Sequence, residues 1–376
     1  MSAERRKTVV VALSGGVDSA VAAALLKRKG MQVVGLFAHL WEEKERAGKL
    51  NRRRCCSLPG WADAVRVAKA LDIPLYTVNL VKQFRRRIVR SYLRAYAAGL
   101  TPNPCVICNE EIKFGLLREH ALRLGAAYFA TGHYARLRRG KNGKRHALLA
   151  ARDRLHDQSY FLYRIPRGAL SQLIFPVGKL RKSEVRQRAQ QWGIPVAQKP
   201  STQEVCFIRT RHPAPFLQKH LSLSPGPILT LDGKRLGTHR GLPLYTIGQR
   251  QGLGLSGGPW YVAAKELPTN TLRVVHARER GKITGAEFTV FSPRWLSPVR
   301  LPLRCRVRIR YLAKTVPCTV FREGGKQAVR VKLKQPLWAI TPGQSAVFYR
   351  GEEVLGGGII RIPESGSRFP VSSCRL

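Results

Sequence analysis

Ser14-Gly15-Gly16-Val17-Asp18-Ser19 constrains this chain more than any other stretch. It follows Val9-Val10-Val11-Ala12-Leu13, an apolar run rich in β-branched residues that reads as a buried parallel strand. Helix-forming residues Ala20 to Lys29 come next and stop at Gly30, a residue that favours helix C-termini. Strand, glycine turn and helix aim backbone N–H groups and a positive helix end at one spot, which suits an anion. Gly15 and Gly16 let backbone approach a phosphate closely, and Ser14 and Ser19 add hydroxyl donors. Asp18 would repel a bare phosphate, and makes sense if Mg2+ lies between the two. No Gly-Lys-Ser/Thr follows, so the Walker pattern is absent. An ordinary glycine turn of an α/β domain is the competing reading, and six residues in this strand–helix setting speak against it.

The rest of the first half continues the alternation of strand and helix. Val33 to Phe37 reads as a second strand ending near Ala38, His39 and Trp41, followed by a polar loop over 42–60 with Arg52-Arg53-Arg54 and Cys55-Cys56. Leu75 to Leu80 reads as a third strand and Ala127 to Thr131 as another. A helix is expected from about Asn109 to Leu124, after a rigid turn at Thr101-Pro102-Asn103-Pro104. Phe84, Ile88, Tyr92 and Tyr96 recur at helical spacing as a core face. Arg138 to Lys144 forms a basic hairpin tip with its turn at Asn142-Gly143, and Lys182 to Trp192 is a further helix. A doubly wound parallel-sheet domain over 1–212 is the result. Residues 213–284, rich in Gly and Pro, read as a small irregular middle domain. From 285 the period becomes two: Arg304, Arg306, Arg308 and Arg310 alternate with apolar positions, as do Arg330, Lys332 and Lys334 with Val329, Val331 and Leu333. Residues 285–376 are therefore expected to form a β-barrel with a basic outside.

Charge points to the partner. Lys and Arg number 67 against 22 acidic residues, a formal charge of +45. Such an excess argues for a polyanion, nucleic acid first, although a generally basic proteome would also inflate it. Arg86, Arg90 and Arg94 form a stripe at i, i+4, i+8, read either as a solvated face or as phosphate contacts. No apolar run is long enough to span a membrane and the N-terminus lacks a signal-peptide layout, so a cytoplasmic protein without a membrane partner is expected.

Eight cysteines in such a chain are more often thiols, metal ligands or catalysts than structural bridges. Cys105-Val106-Ile107-Cys108 follows the proline turn, and Cys206 lies in Gln203-Glu204-Val205-Cys206-Phe207-Ile208. A thiol redox pair, part of a metal or cluster site, and sulfur-transfer chemistry all remain open on these residues alone.

Two resemblances narrow the choice. Ser14 to Ser19 resembles the SGGxDS loop of the PP-loop ATP pyrophosphatases. Thr101 to Phe114, TPNPCVICNEEIKF, is similar to the TPNPxxxCNxxIKF segment of the tRNA-specific 2-thiouridylases, the MnmA/TrmU family. Ala130 to Tyr134, Asp157 to Leu162, Val205 to Ile208 and Pro342-Gly343-Gln344 match that family in order. The resemblance implies a PP-loop adenylation domain that binds ATP with Mg2+ through Ala12, Leu13, Ser14, Gly15, Gly16, Val17, Asp18 and Ser19, with Ala38 and Gly132 also at ATP-contacting positions. It makes Cys108 the nucleophile and Cys206 the carrier of persulfide sulfur. It places Asn103, Pro104 and Cys105 against the target base, and His133, His156, Asp157, Gln158, Arg310, Tyr311 and Gln344 against tRNA. The implied reaction is ATP-dependent 2-thiolation of the wobble uridine in the anticodon stem-loop. Another adenylating tRNA-modifying synthetase is the alternative.

Two departures matter. Position 105 is cysteine where members of the family carry an acid/base aspartate, and His156 replaces a common lysine. Cys105, Cys108 and Cys206 together resemble the branch of thiolation enzymes that hold a [4Fe-4S] cluster on three cysteines. The balance leans to that cluster, fed by sulfide. A persulfide delivered by a relay protein stands as the other route.

Overall fold

The computed structural model describes residues 7–41, 58–140, 146–200, 205–208, 210, 212–324 and 327–361. Arg52 to Cys56, Gln203-Glu204 and the hairpin tip at Asn142-Gly143 lie outside them. By contact the chain divides into two compact units. One holds residues up to 89, 104–207 and 351–354; the other holds 90–103, 208–350 and the chain from 355.

The strands of the first unit are β1 (Thr8–Ala12), β2 (Gln32–His39), β3 (Leu75–Asn79), β4 (Tyr128–Ala130), β5 (Ala135–Arg139), β6 (His146–Ala150) and β7 (Leu173–Ile174). A parallel sheet runs in the order β3-β2-β1-β4-β7. Val9, Val10 and Val11 are completely buried, as a strand covered on both faces requires. Helix α1 (Val17–Arg28) leaves the β1 end and buries the alanine run Ala20 to Ala24. It ends with Gly30 at φ +76°, the left-handed residue expected there. The strand order reverses direction between β1 and β4, so the two loops that follow these strands border the crevice where such sheets bind ligands. β5 and β6 pair antiparallel from Ala135↔Ala150 to Arg139↔His146.

The expected boundary at 101–109 is corrected. Pro104 does not bar the helix but opens it: Pro104–Ile107 is α-helical, Cys108–Leu117 is π-helical and Arg118–Arg123 is α-helical again. A helix's first turn has N–H groups without intrahelical partners, so proline costs little there. Phe84, Ile88, Tyr92 and Tyr96 are all buried.

In the second unit the middle region is more regular than its composition suggests. β8 (Gly226–Thr230), β9 (Arg235–His239), β10 (Trp260–Glu266) and β11 (Thr271–His276) form one sheet in the order β10-β11-β8-β9. The barrel uses β12 (Thr284–Trp295), β13 (Leu303–Arg308), β14 (Val316–Glu323), β15 (Ala328–Trp338), β16 (Ser345–Arg350) and β17 (Glu353–Arg361), and pairing of β12 with β17 closes it. The period-two reading holds: Val329, Val331 and Leu333 are buried while Arg330, Lys332 and Lys334 are exposed.

Candidate active site

At the β1 end, Ser19 Oγ donates to the Gly16 carbonyl at 3.0 Å and accepts from the Ser14 N–H at 3.2 Å. Ser14 Oγ lies 3.2 Å from Ser19 Oγ. The serines thus fold the loop on itself while the start of α1 carries no side-chain cap, which leaves its N-terminus for an external anion. Gly15, at φ +72°, would bring a Cβ within 2.2 Å of the Gly60 carbonyl oxygen. Gly132, beyond β4, would bring one within 2.6 Å of the Ser19 nitrogen. Both glycines are close-approach positions, and Gly132 fixes the loop from the neighbouring strand. Leu13, Val17 and Ala38 are buried wall residues around it.

Two lysines that the sequence did not single out flank this loop. Lys182, 8 % exposed, places Nζ 2.5 and 2.7 Å from the two Asp18 carboxylate oxygens, and the Tyr134 hydroxyl donates to Asp18 Oδ1 at 2.8 Å. Burial and the Asp18 charge push the Tyr134 hydroxyl far up, so it stays protonated. Lys199 donates to the Gly15 carbonyl at 2.9 Å and to Asp63 Oδ2 at 2.5 Å. Burial works to raise the Asp63 carboxyl, but hydrogen bonds from Lys199 and Arg66 outweigh it and hold the group below its ordinary range. Lys182 had one local signal. It is the first residue of its helix, where the dipole disfavours a cation that no anion answers.

In the chain alone, an ammonium faces both Asp18 oxygens. No group of three or more His, Cys, Asp or Glu side chains that could hold a metal occurs among the described residues. The described residues build no Mg2+ site of their own; the expected role of Asp18 is to hold Mg2+ against the pyrophosphate, where one carboxylate and substrate phosphates supply the ligands.

The 153–158 segment packs beside Lys182. Asp153 Oδ2 accepts from the Lys182 backbone N–H at 2.8 Å and lies 3.0 Å from His156 Nδ1. Asp157 is completely buried, its Oδ1 accepting from the Ala151 and Ser159 N–H groups at 3.0 and 3.1 Å. Gln158 Oε1 accepts from the Tyr134 N–H at 3.0 Å. The Asp157 carboxylate thus organises the loop that carries its expected tRNA-side neighbours His156 and Gln158.

Pro104 at the helix start puts Cys105 and Cys108 in its first turns, Cys105 partly exposed and Cys108 buried. Burial raises both thiols against the pull of the Lys113 charge, Cys108 to about 11. Lys113 Nζ is 3.3 Å from His133 Nε2, and His133 Nδ1 is 2.8 Å from Thr131 Oγ1. Burial, then Lys113, pushes His133 well below its ordinary range, so the ring is neutral with its proton on Nδ1, toward Thr131. Asn109, buried beside Cys108, donates to the Phe161 carbonyl at 3.1 Å, and its Oδ1 has no partner among the described residues. Cys206 sits in a turn, partly exposed, where the buried ring of Phe207 packs on Phe84 and Trp41 at 5.8 and 6.0 Å. Cys105, Cys108 and Cys206 do not form a metal-holding group. The three-cysteine cluster expected from their pattern is not assembled, and no chemistry is derived through it.

In the second unit Gln344 Nε2 donates to the Thr101 carbonyl at 2.9 Å, and the Thr101 N–H donates to Pro342 O at 3.0 Å, which fixes the backbone just before the partly exposed Asn103. Arg310 donates to Ala339 O at 2.5 Å and Thr341 Oγ1 at 2.9 Å, and Tyr311 is partly exposed beside it.

Three family models match successive parts of the chain: a tRNA methyl transferase HUP domain over 7–210, a tRNA methyl transferase PRC-barrel domain over 214–276 and an aminomethyltransferase beta-barrel domain over 286–360. The chain is 43% identical over 376 residues to the tRNA-specific 2-thiouridylase MnmA of Paracidovorax citrulli, covering 96% of this chain and 97% of the relative. It is 42% identical over 371 residues to that of Burkholderia pseudomallei strain 668, covering 96% and 95%. Among solved structures, a 4-thiouridine synthetase in complex with RNA and ATP aligns at 17% identity and TM-score 0.33, over 57% of this chain and 50% of that one.

Proposed function

The chain belongs to the tRNA-specific 2-thiouridylase family, and from that premise we propose that it replaces the C2 oxygen of the wobble uridine of a tRNA with sulfur. The observation that carries the reading is the loop at the β1 end, with an uncapped helix start, two close-approach glycines and Lys182 and Lys199 on its flanks. That arrangement suits the pyrophosphate of ATP. A uracil carbonyl oxygen is a very poor leaving group. Attack of that oxygen on the α-phosphorus of ATP converts it to an adenylate and expels pyrophosphate into the loop. The base is reached outside its stack, which an anticodon-loop nucleotide permits at low cost.

The sulfur step uses Cys206 and Cys108. Partly exposed, Cys206 receives sulfur from a donor protein as a persulfide. The terminal sulfur attacks C2 and AMP leaves with the former O2. Cys108 then attacks the Cys206 sulfur, which frees the 2-thiouridine and joins the two cysteines in a disulfide. Burial holds the Cys108 thiol up, to about 11, and the Lys113 charge opposes that rise on the side of the thiolate this step needs. Asn103, Pro104 and Cys105 border the target base, and His133, His156, Gln158, Arg310, Tyr311 and Gln344 belong to the tRNA side of the proposal, in a cytoplasmic enzyme. No helix among the described residues is long and apolar enough to cross a membrane.

The test is incubation of the full chain with unmodified tRNA, ATP and a persulfide donor, then nucleoside analysis for 2-thiouridine with AMP and pyrophosphate release. Product is expected with the wild type and not with Cys206→Ser. Cys105→Asp is expected to retain thiolation. Its loss under oxygen-free conditions with sulfide as donor, together with loss of bound iron, would return the cluster route.

A further inference from the structure

Cys305 and Cys318 face each other directly across the β13–β14 ladder, between the pairs Leu303↔Val320 and Val307↔Val316. Their Sγ atoms are 3.6 Å apart and both are thiols. Residues opposed in an antiparallel pair have Cα atoms about 4.5–5.5 Å apart, inside the range of about 4.4–6.8 Å that a disulfide spans. Side-chain rotation is therefore enough to join them. Cys318 belongs to the barrel core, with Cys305 packed against it at the core's margin. The strands are joined by the 309–315 loop, which carries Arg310, Tyr311 and the exposed Leu312.

We propose that Cys305 and Cys318 are a reversible dithiol–disulfide pair that clamps the base of the 309–315 loop and so sets how that loop holds RNA. The oxidant is a low-molecular-weight disulfide, RSSR. The Cys305 thiolate attacks one of its sulfurs and expels RS⁻. The Cys318 thiolate then attacks the Cys305 sulfur of the mixed disulfide and expels the second RS⁻. Two protein thiols lose two electrons, and their two protons leave on two RSH. Cys305 begins because it is partly exposed while Cys318 is buried, so a small disulfide reaches it first. Cys318 is the shielded partner, its thiol pushed up by the contact with Cys305 and by burial. Neither cysteine has a part in the sulfur transfer proposed above. The consequence for RNA rests on Arg310 and Tyr311 contacting tRNA; the disulfide itself does not.

The test equilibrates the full-length protein in reduced and oxidised glutathione, a linear low-molecular-weight disulfide, traps thiols by alkylation and maps peptides without reduction. Limited trypsin digestion then reads opening of the loop at Arg310 and Lys314. In the oxidised buffer a Cys305–Cys318 cross-linked peptide is expected, with loop cleavage slowed roughly tenfold or more. tRNA affinity is expected to differ between the two buffers for the wild type and not for Cys305→Ser. Thiols that stay alkylatable in the oxidised buffer overturn the proposal, as does a cross-link that leaves cleavage unchanged. If clamping leaves tRNA affinity unchanged while Arg310→Ala weakens it, the regulatory role is wrong. If Arg310→Ala has no effect either, the tRNA contact falls and the consequence for RNA falls with it.

Discussion

Lys182 and Asp18 stand 164 positions apart in the chain, yet the lysine ammonium lies within 2.7 Å of both carboxylate oxygens at the mouth of the glycine loop. Tyr134 donates to the same carboxylate, so the ion pair is held from two elements. Its position suggests a switchable cation: when a polyphosphate enters, Lys182 has a second anion within reach. Lys182→Met leaves Asp18 partly buried, with the Tyr134 hydroxyl but without its cation. Asp18 keeps about a third of its surface, so solvent screening limits the cost to about 1–3 kcal/mol, below that of a fully buried pair. Denaturant unfolding should show that loss, and tRNA-dependent pyrophosphate release should fall at least tenfold. The Asp18→Asn/Lys182→Met double variant should recover stability but not activity. Recovery of both would make the pair purely structural.

Gly132 makes a second prediction at the same loop. A Cβ there meets the Ser19 nitrogen at 2.6 Å and the Asp18 carbonyl carbon at 2.7 Å, both backbone atoms that cannot rotate away. Gly132→Ala should destabilise by about 1–3 kcal/mol through overpacking. It should also raise the ATP concentration needed for half-maximal rate, because the displaced atoms belong to the loop itself. Unchanged ATP dependence would mean that β4 yields instead.

What could be read from the sequence was mostly local. The glycine loop, the buried β1 triplet and the alternating strands of the barrel each follow from residues within a few positions of one another. Lys182 and Lys199 escaped because their partners lie far along the chain, and a lysine in a polar stretch has no periodicity to betray it. Pro104 reads as a breaker unless the first turn of a helix is considered. Asp157 shows what family position leaves out. A carboxylate that accepts two backbone N–H groups and one that faces RNA look alike in a sequence, and only burial separates them. The middle sheet was obscured by glycines and prolines between short strands.

Lys265 supplies a pH dependence. It is 5 % exposed, donates to the Tyr245 carbonyl at 2.9 Å, and burial lowers its pKa to about 7. The unfolded chain holds that proton to about pH 10.4. Between these values the unfolded state binds more protons than the folded one, so stability rises with pH, by about 1.4 kcal/mol per unit from this group. The gain is complete above the unfolded value and lost as pH falls toward 7. Lys265→Met should raise stability at pH 7 and flatten the slope between pH 7 and 10 in denaturant titrations. A slope unchanged by the substitution would show that Lys265 stays charged when folded.

The basic surface makes the last prediction, and ion pairing divides it. Arg330 and Lys332 on β15 both reach Glu287, at 3.5 and 3.7 Å, so part of their charge is already answered. Arg86, Arg90 and Arg94 are exposed and carry no ion pair among the described residues. Each phosphate neutralised by a cation releases condensed counterions, so log affinity falls with log salt by about 0.7 per single-stranded and 0.9 per duplex phosphate. Replacing Arg86, Arg90 and Arg94 by Gln should therefore reduce the salt slope of tRNA binding by roughly 2–3. Unrelated RNA of the same length should weaken equally, because phosphate contacts carry no sequence information. Replacing Arg330 and Lys332 together should change the slope by less than about 0.7 in total, below the value of a single phosphate contact, since Glu287 already answers part of their charge. The two variants, titrated over the same salt range against the same tRNA, separate a phosphate-binding stripe from a merely solvated one. An unchanged slope in the Arg86/Arg90/Arg94 variant would assign that stripe to solvent.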